Sequence, residues 1–188
     1  MKRSMTIAGL AAVLALPCAA GAQQAKQISF GVSGGASLPM GDLADVADVG
    51  FNVTGHIALK LEGKPFHLRG DVSYDKWNAK KDGGDFENVD ASLSALGFTG
   101  NLIFPLGDAS ASARPYLLGG GGFYRLKAAA SAFGVGVSTT DTKGGVQGGA
   151  GIEFKLSGMS TFLEAKYVNV FSDGGSTNWI PITFGIKF

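Results

Sequence analysis

Residues 66–75 read Phe-His-Leu-Arg-Gly-Asp-Val-Ser-Tyr-Asp, an unbroken alternation of apolar and polar positions. Phe66, Leu68, Gly70, Val72 and Tyr74 fall on one parity; His67, Arg69, Asp71, Ser73 and Asp75 fall on the other. Successive side chains of a β-strand point to opposite faces, so this is a strand with one apolar and one strongly polar side. The pattern recurs eight times, over residues 28–38, 51–61, 66–77, 92–104, 114–127, 143–156, 159–170 and 179–188. The apolar parity is expected to carry Ile28, Phe30 and Val32 in the first strand. In the fifth it is expected to carry Tyr116, Leu118, Tyr124 and Leu126.

The connections alternate in length. Residues 62–65 and 157–158 are tight hairpin turns, and 105–113 is a somewhat longer link. Between them lie longer polar segments at 41–50, 79–91, 128–142 and 172–178. Short turns at one end and longer loops at the other is the arrangement of a transmembrane β-barrel, which crosses the bilayer on tilted strands of about 9–11 residues. The expected fold is all-β: an eight-stranded antiparallel up-and-down transmembrane β-barrel.

The N-terminus reads differently. Lys2 and Arg3, the apolar run 7–16 and the small-x-small triplet Ala20-Gly21-Ala22 have the form of a secretory signal peptide. The expected organisation is a signal peptide at 1–22, a short lead-in at 23–27 and a barrel domain at 28–188. Cleavage removes the one cysteine, Cys18, and leaves no disulfide or thiol chemistry. It also moves the net charge from +1 to −1, which gives no footprint for nucleic acid.

Alternation alone leaves two barrels open. A soluble ligand-binding barrel turns its apolar face inward; an outer-membrane barrel turns it outward to lipid. Three features favour the second. Aromatic residues gather near strand ends: Phe30, Phe66, Phe104, Tyr116, Phe154 and Phe188 by the short turns, and Phe51, Tyr74, Trp77, Tyr124, Phe171 and Trp179 by the long loops. These are the two interfacial girdles of a membrane barrel. The polar face is charge-balanced and rich in glycine; the chain has 30 glycines in 188 residues, about twice the usual share. A narrow lumen needs such residues opposite long charged side chains. The expected lumen network is His56, Lys60, His67, Arg69, Asp71, Asp75, Arg125, Glu153, Lys155, Glu164 and Lys166. With the 62–65 turn setting the register, His56 faces Asp71 and His67 faces Lys60. With 157–158 as a two-residue turn, Glu164 faces Gly151 and Lys166 faces Gly149. The third feature is the last strand, where Ile182, Phe184, Ile186 and Phe188 alternate to the final residue. Pro181 cannot donate to a ladder, so a bulge, or pairing that starts only at Ile182, is expected there.

The run Pro181-Ile182-Thr183-Phe184-Gly185-Ile186-Lys187-Phe188 resembles the C-terminal β-signal read by the barrel-assembly machinery. Residues 114–124, 148–154 and 162–167 resemble the fifth, sixth and seventh strands of the small outer-membrane β-barrel domain family, which groups with OmpX-like barrels and the OmpA membrane domain. The resemblance implies residence in a Gram-negative outer membrane, assembly by that machinery, and contact with outer-membrane lipids and lipopolysaccharide. It specifies no surface partner.

Catalytic, cofactor and metal sites are not expected. The His56–Asp71 couple lacks a serine on a strand–turn–helix elbow. Asp42, Asp45 and Asp48 do not have the spacing of a calcium loop. The glycine run 119–122 is not followed by the lysine and helix of a phosphate loop. The expected function is non-enzymatic, structural or surface-interacting, with the lumen filled by charge. The alternatives are a lipid A-modifying enzyme, a narrow channel and a soluble ligand-binding barrel.

Overall fold

The computed structural model describes residues 28–80, 89–108, 110–132, 135–156, 158–172 and 174–188. The expected signal peptide and lead-in lie outside the described residues, as does the charged stretch 81–88. Among the described residues eight strands follow in order: β1 (Ile28–Met40), β2 (Gly50–Lys60), β3 (His67–Asn78), β4 (Val89–Pro105), β5 (Ala113–Ala132), β6 (Val135–Leu156), β7 (Met159–Ser172) and β8 (Gly175–Lys187). Each pairs antiparallel with its neighbours, and β1 pairs with β8 to close the barrel. The closure is sealed where Phe30 and Phe188 exchange two backbone hydrogen bonds of 2.9 Å each. A closed barrel leaves no open edge inside the hydrocarbon, where an unpaired N–H or C=O costs on the order of several kcal/mol.

The tight turns set the register. His56 lies opposite Asp71 and Lys60 opposite His67 across β2 and β3. Leu156 lies opposite Met159, Gly151 opposite Glu164 and Gly149 opposite Lys166 across β6 and β7.

The apolar parity faces outward. Val32, Val53, Phe98, Phe123, Leu163 and Phe184 are each more than half exposed or close to it, while Arg69, Asp71, Asp75, Glu164 and Lys166 are buried. Water would not tolerate so continuous an apolar exterior, and a soluble barrel has the opposite polarity. The outward aromatic collars are Phe30, Phe104, Phe154 and Phe188 at the turn end, and Phe51, Tyr74, Phe123 and Phe171 towards the loop end.

Four aromatic expectations change. Tyr116, Trp77, Tyr124 and Trp179 are buried inside the barrel, not placed in the girdles. For Trp77 parity decides, since it continues the inward series Arg69, Asp71, Asp75. The fifth strand has its parity reversed: Tyr116, Leu118 and Tyr124 point in while Leu117 and Phe123 point out. Apolar residues occupy both parities of 116–118 and 123–124, so alternation carries no signal there.

Two of the expected long loops are strands. β5 and β6 stay paired over 128–132 and 135–142, up to Ala132 opposite Val135, and β7 and β8 up to Ser172 opposite Gly175. These segments are rich in Val, Thr and Ser, which pair readily; their polarity marks the exit from the membrane, not the end of the ladder. Pro181 makes no bulge. Pairing on both sides of β8 keeps a single register from Asn178 onward, and only the partners at Lys166 and Tyr167 are skipped on the β7 side. The missing proline N–H thus costs a local gap in one ladder.

Candidate functional site

The barrel interior is where the polar residues converge. β3 and β7 stand four strands apart in an eight-stranded ring, hence on opposite walls, and they run in the same direction. β3 carries Arg69-x-Asp71 inward; β7 carries Glu164-x-Lys166, the same spacing with the signs exchanged. Every charge therefore meets its opposite across the lumen. Arg69 donates from Nη1 to Glu164 Oε2 at 2.7 Å and from Nη2 to Glu164 Oε1 at 2.9 Å. Its Nη2 also reaches Asp71 Oδ2 at 3.0 Å, and its Nε stands 2.8 Å from Asp71 Oδ1. Lys166 Nζ lies 3.5 Å from Asp71 Oδ2 and 3.7 Å from Glu164 Oε1. Tyr116 donates its hydroxyl to Glu164 Oε2 at 2.7 Å. Two cations and two carboxylates share one desolvated volume at zero net charge, the condition under which buried ions are tolerable.

Two further groups of amides and hydroxyls lie in the lumen, separate from this quartet. Gln147 donates from Nε2 to Thr99 Oγ1 at 3.0 Å and to Asn101 Oδ1 at 2.7 Å. Asp75 accepts from Ser37 Oγ at 2.7 Å and from Asn52 Nδ2 at 2.9 Å, and Asn52 accepts from Thr54 Oγ1 at 2.9 Å. Asp75 thus joins neutral donors, not the charge quartet.

Towards the loop end the lumen becomes aromatic. The Trp77 and Trp179 rings meet edge-on with centroids 5.3 Å apart, and Tyr124 meets Trp179 at 5.6 Å. Trp77 donates from Nε1 to the Ser37 carbonyl at 3.1 Å, and Tyr124 from its hydroxyl to Gln147 Oε1 at 3.1 Å. Val168, Val170 and Ala95 complete the cluster, together with Leu43 and Ala47 from the first connection. That connection holds a short helix, α1 (Asp42–Val46), which leaves Asp42 and Asp45 exposed and turns Leu43 onto the aromatic cluster.

The remaining expected members sit elsewhere. His56 is buried against the Phe162 ring, at 5.3 Å between centroids. His67 and Glu153 are half-buried near the turn end, and Glu153 pairs with Lys187. Lys60 and Lys155 share the lumen parity but stand exposed at the turn-side rim. Arg125 is a correction: it is exposed on the outer face, because Tyr124 takes the inward position beside it. Sequence reading missed Tyr116, Tyr124, Trp77 and Trp179 as lumen residues. Strict parity from Asp75 would have placed Trp77, and parity from Thr183 would have placed Trp179.

The lumen glycines also have a different role from the one expected. The direction in which Gly151 would carry a Cβ is occupied by the Tyr116 ring, that of Gly31 by the His56 ring, and that of Gly185 by the Phe162 ring. Gly97 and Gly145 flank the two edges of Tyr124, each with a ring carbon 2.9 Å from where a Cβ would stand. Rings, more than charged chains, fill the room that glycine leaves.

An apolar exterior, a buried polar and aromatic interior and a closed eight-strand ladder define a transmembrane β-barrel. The sequence profile of the outer membrane protein beta-barrel domain matches residues 8–188, and the chain belongs to that family and resides in the outer membrane. Among solved structures it is similar to Neisserial surface protein A, at 14% identity, covering 88% of this chain and 98% of that one with a TM-score of 0.62. It is also similar to a major outer membrane protein from Thermus thermophilus, at 11% identity, covering 86% and 98% with a TM-score of 0.58. At these identities the likeness concerns the fold. No curated protein matches the chain.

Proposed function

We propose that this protein is a non-enzymatic, non-conducting barrel of the outer membrane that serves the envelope as a structural and surface-contact element. One observation carries this reading: the width of the lumen is taken up by groups bonded to one another, from the Arg69–Glu164 pair to the Trp77–Trp179 contact. Eight strands enclose only enough room for side chains, so filling of this kind leaves no continuous water path. Planar-bilayer recordings are expected to show no stable, ion-selective steps; their appearance would overturn the plugged lumen. Lipid A from cells with and without the gene is expected to have the same mass, while envelope-stress sensitivity changes. A lipid A mass difference would instead favour an enzyme.

The reading includes two partners. Lys76, Arg125 and Lys127 lie on the outward parity at the loop end, and Lys76 and Lys127 are both cross-strand neighbours of Ser94. They stand beside the collar of Tyr74 and Phe123, at the level where lipopolysaccharide phosphates meet a barrel wall. The second partner is the barrel-assembly machinery, met through the outward edge Ile182, Phe184, Ile186 and Phe188. Deleting Phe188 is expected to lower the yield of heat-modifiable, folded protein in cells more than deleting an exposed residue such as Val49. Equal yields would remove the assembly-signal role.

A further inference from the structure

The turn-side mouth of the lumen holds a cavity of about 90 Å³ lined by His56, His67, Arg114, Glu153, Lys155 and Lys187, with Arg69 at its inner end. Its charges do not cancel. Four of the lining side chains are cations, Arg69, Arg114, Lys155 and Lys187, against one carboxylate, Glu153. Lys166, Asp71 and Glu164 stand immediately behind Arg69. Among the described residues, and with Lys155 left out of the count, four cations then face three carboxylates. Lys60 at the rim adds to the same positive field around His67.

The carboxylates are already engaged. Glu153 pairs with Lys187, and Asp71 and Glu164 both bind Arg69. Arg114, by contrast, has an Nε that is buried and meets no hydrogen-bond partner, although its strand neighbour in the ladder is Glu153 itself. A buried guanidinium donor without an acceptor is costly unless something outside the chain supplies one.

We propose that this cavity binds a single phosphate-sized oxyanion that enters from the turn-side mouth. The surplus positive charge selects an anion. The cavity, open at the turn-side mouth, has room for a phosphate group. Arginine and lysine together offer the charge-assisted donors that phosphate oxygens accept best. The inner wall of Phe162 and Ile103 limits competing hydration. The same chemistry is presented by free inorganic phosphate and by the phosphomonoester end of a larger molecule whose remainder stays outside the mouth. The site is separate from the plugged-lumen reading, because an anion at the mouth neither requires nor provides a path past the quartet.

The test uses the full barrel refolded in detergent micelles, with its two histidines as reporters, since both line the cavity. Inorganic phosphate is titrated at constant ionic strength while the imidazole ¹H–¹⁵N signals are followed. A saturable shift of both histidines is expected, with a dissociation constant on the order of millimolar. Arg114→Gln is expected to weaken it at least about tenfold, the loss of one charge-assisted hydrogen bond. Lys187→Gln should act in the same direction and stands in if the first variant does not fold. Lys80→Gln, exposed at the loop end, should leave the titration unchanged. Glycerol phosphate provides the second arm: binding comparable to phosphate assigns a phosphomonoester end, and binding of phosphate alone assigns the free ion. Shifts that never saturate, that chloride reproduces at the same ionic strength, or that survive both cavity variants would overturn the site.

Discussion

The two ends of the lumen are filled by opposite means. On the turn side, Arg69, Asp71, Glu164 and Lys166 hold one another by charge, with Tyr116 as an added donor. On the loop side, Trp77, Trp179, Tyr124, Val168 and Val170 hold one another by shape. The charged half depends on completeness: each ion is tolerable only while its partners remain. The aromatic half depends on volume, and its loss is graded with the space left empty. The glycines connect the two. In both halves a tyrosine ring lies over glycine positions of neighbouring strands, Tyr116 over Gly151 and Tyr124 between Gly97 and Gly145.

The largest expected effect tests completeness. Arg69→Ala leaves Glu164 and Asp71 facing each other with only Lys166, and should destabilise the barrel by about 3–5 kcal/mol. Replacing both members of the pair, Arg69→Met with Glu164→Gln, keeps Asp71 and Lys166 balanced and should cost much less than the single change. Urea unfolding of the refolded barrel in lipid or detergent measures both. A double variant as unstable as Arg69→Ala would mean that packing, not charge balance, holds this half.

The charged half was legible in the sequence and the aromatic half was not. Arg69, Asp71, Glu164 and Lys166 sit in strands whose other parity is plainly apolar, so alternation assigns their face without ambiguity. The tight turns at 62–65 and 157–158 then fix the cross-strand neighbours. Trp77, Tyr124 and Trp179 are amphipathic and suit either a membrane interface or a lumen. For the two tryptophans residue type argued for the girdle while parity argued for the interior, and parity was correct; at Tyr124 parity was silent and residue type alone misled. Placing Tyr124 outside put its neighbour Arg125 in the lumen, and the structure reverses both. The extended β5–β6 hairpin was hidden because polarity reads as loop, although polar strands persist once they leave the hydrocarbon. Which residues of β3 and β7 meet depends on ring closure, and no local pattern encodes that.

A middle-sized effect compares glycines of the lumen with glycines of the wall. At Gly97 an added Cβ would stand 2.6 Å from Ser73 Oγ and 2.9 Å from Tyr124, on a ring already wedged from the other side by Gly145. Gly97→Ala should cost about 1–3 kcal/mol through overpacking. At Gly119, on the outward parity of β5, nothing lies within 4 Å of an added Cβ. Gly119→Ala should be neutral or stabilising by roughly 0.5–1 kcal/mol, because alanine loses less backbone entropy in a strand. The same unfolding assay separates them. Equal costs would show that these glycines serve backbone geometry and not room for rings.

The smallest effect isolates the hydroxyls of the two tyrosines. Both rings rest on glycine and both donate one hydrogen bond, so deleting each hydroxyl changes little besides the acceptor left behind. Tyr116 loses a carboxylate acceptor, Glu164, at 2.7 Å; Tyr124 loses a neutral amide oxygen, Gln147, at 3.1 Å. A bond to a charged group contributes about 1.5–3 kcal/mol and a neutral one about 1 kcal/mol. Tyr124→Phe should therefore cost about 1 kcal/mol and Tyr116→Phe somewhat more, with the gap between them narrowing in an Arg69→Met, Glu164→Gln background where the acceptor has lost its charge. If Tyr116→Phe keeps its full cost in that background, its hydroxyl belongs to the packing of this half, and the division of the lumen into a charged end and a shaped end fails at this residue.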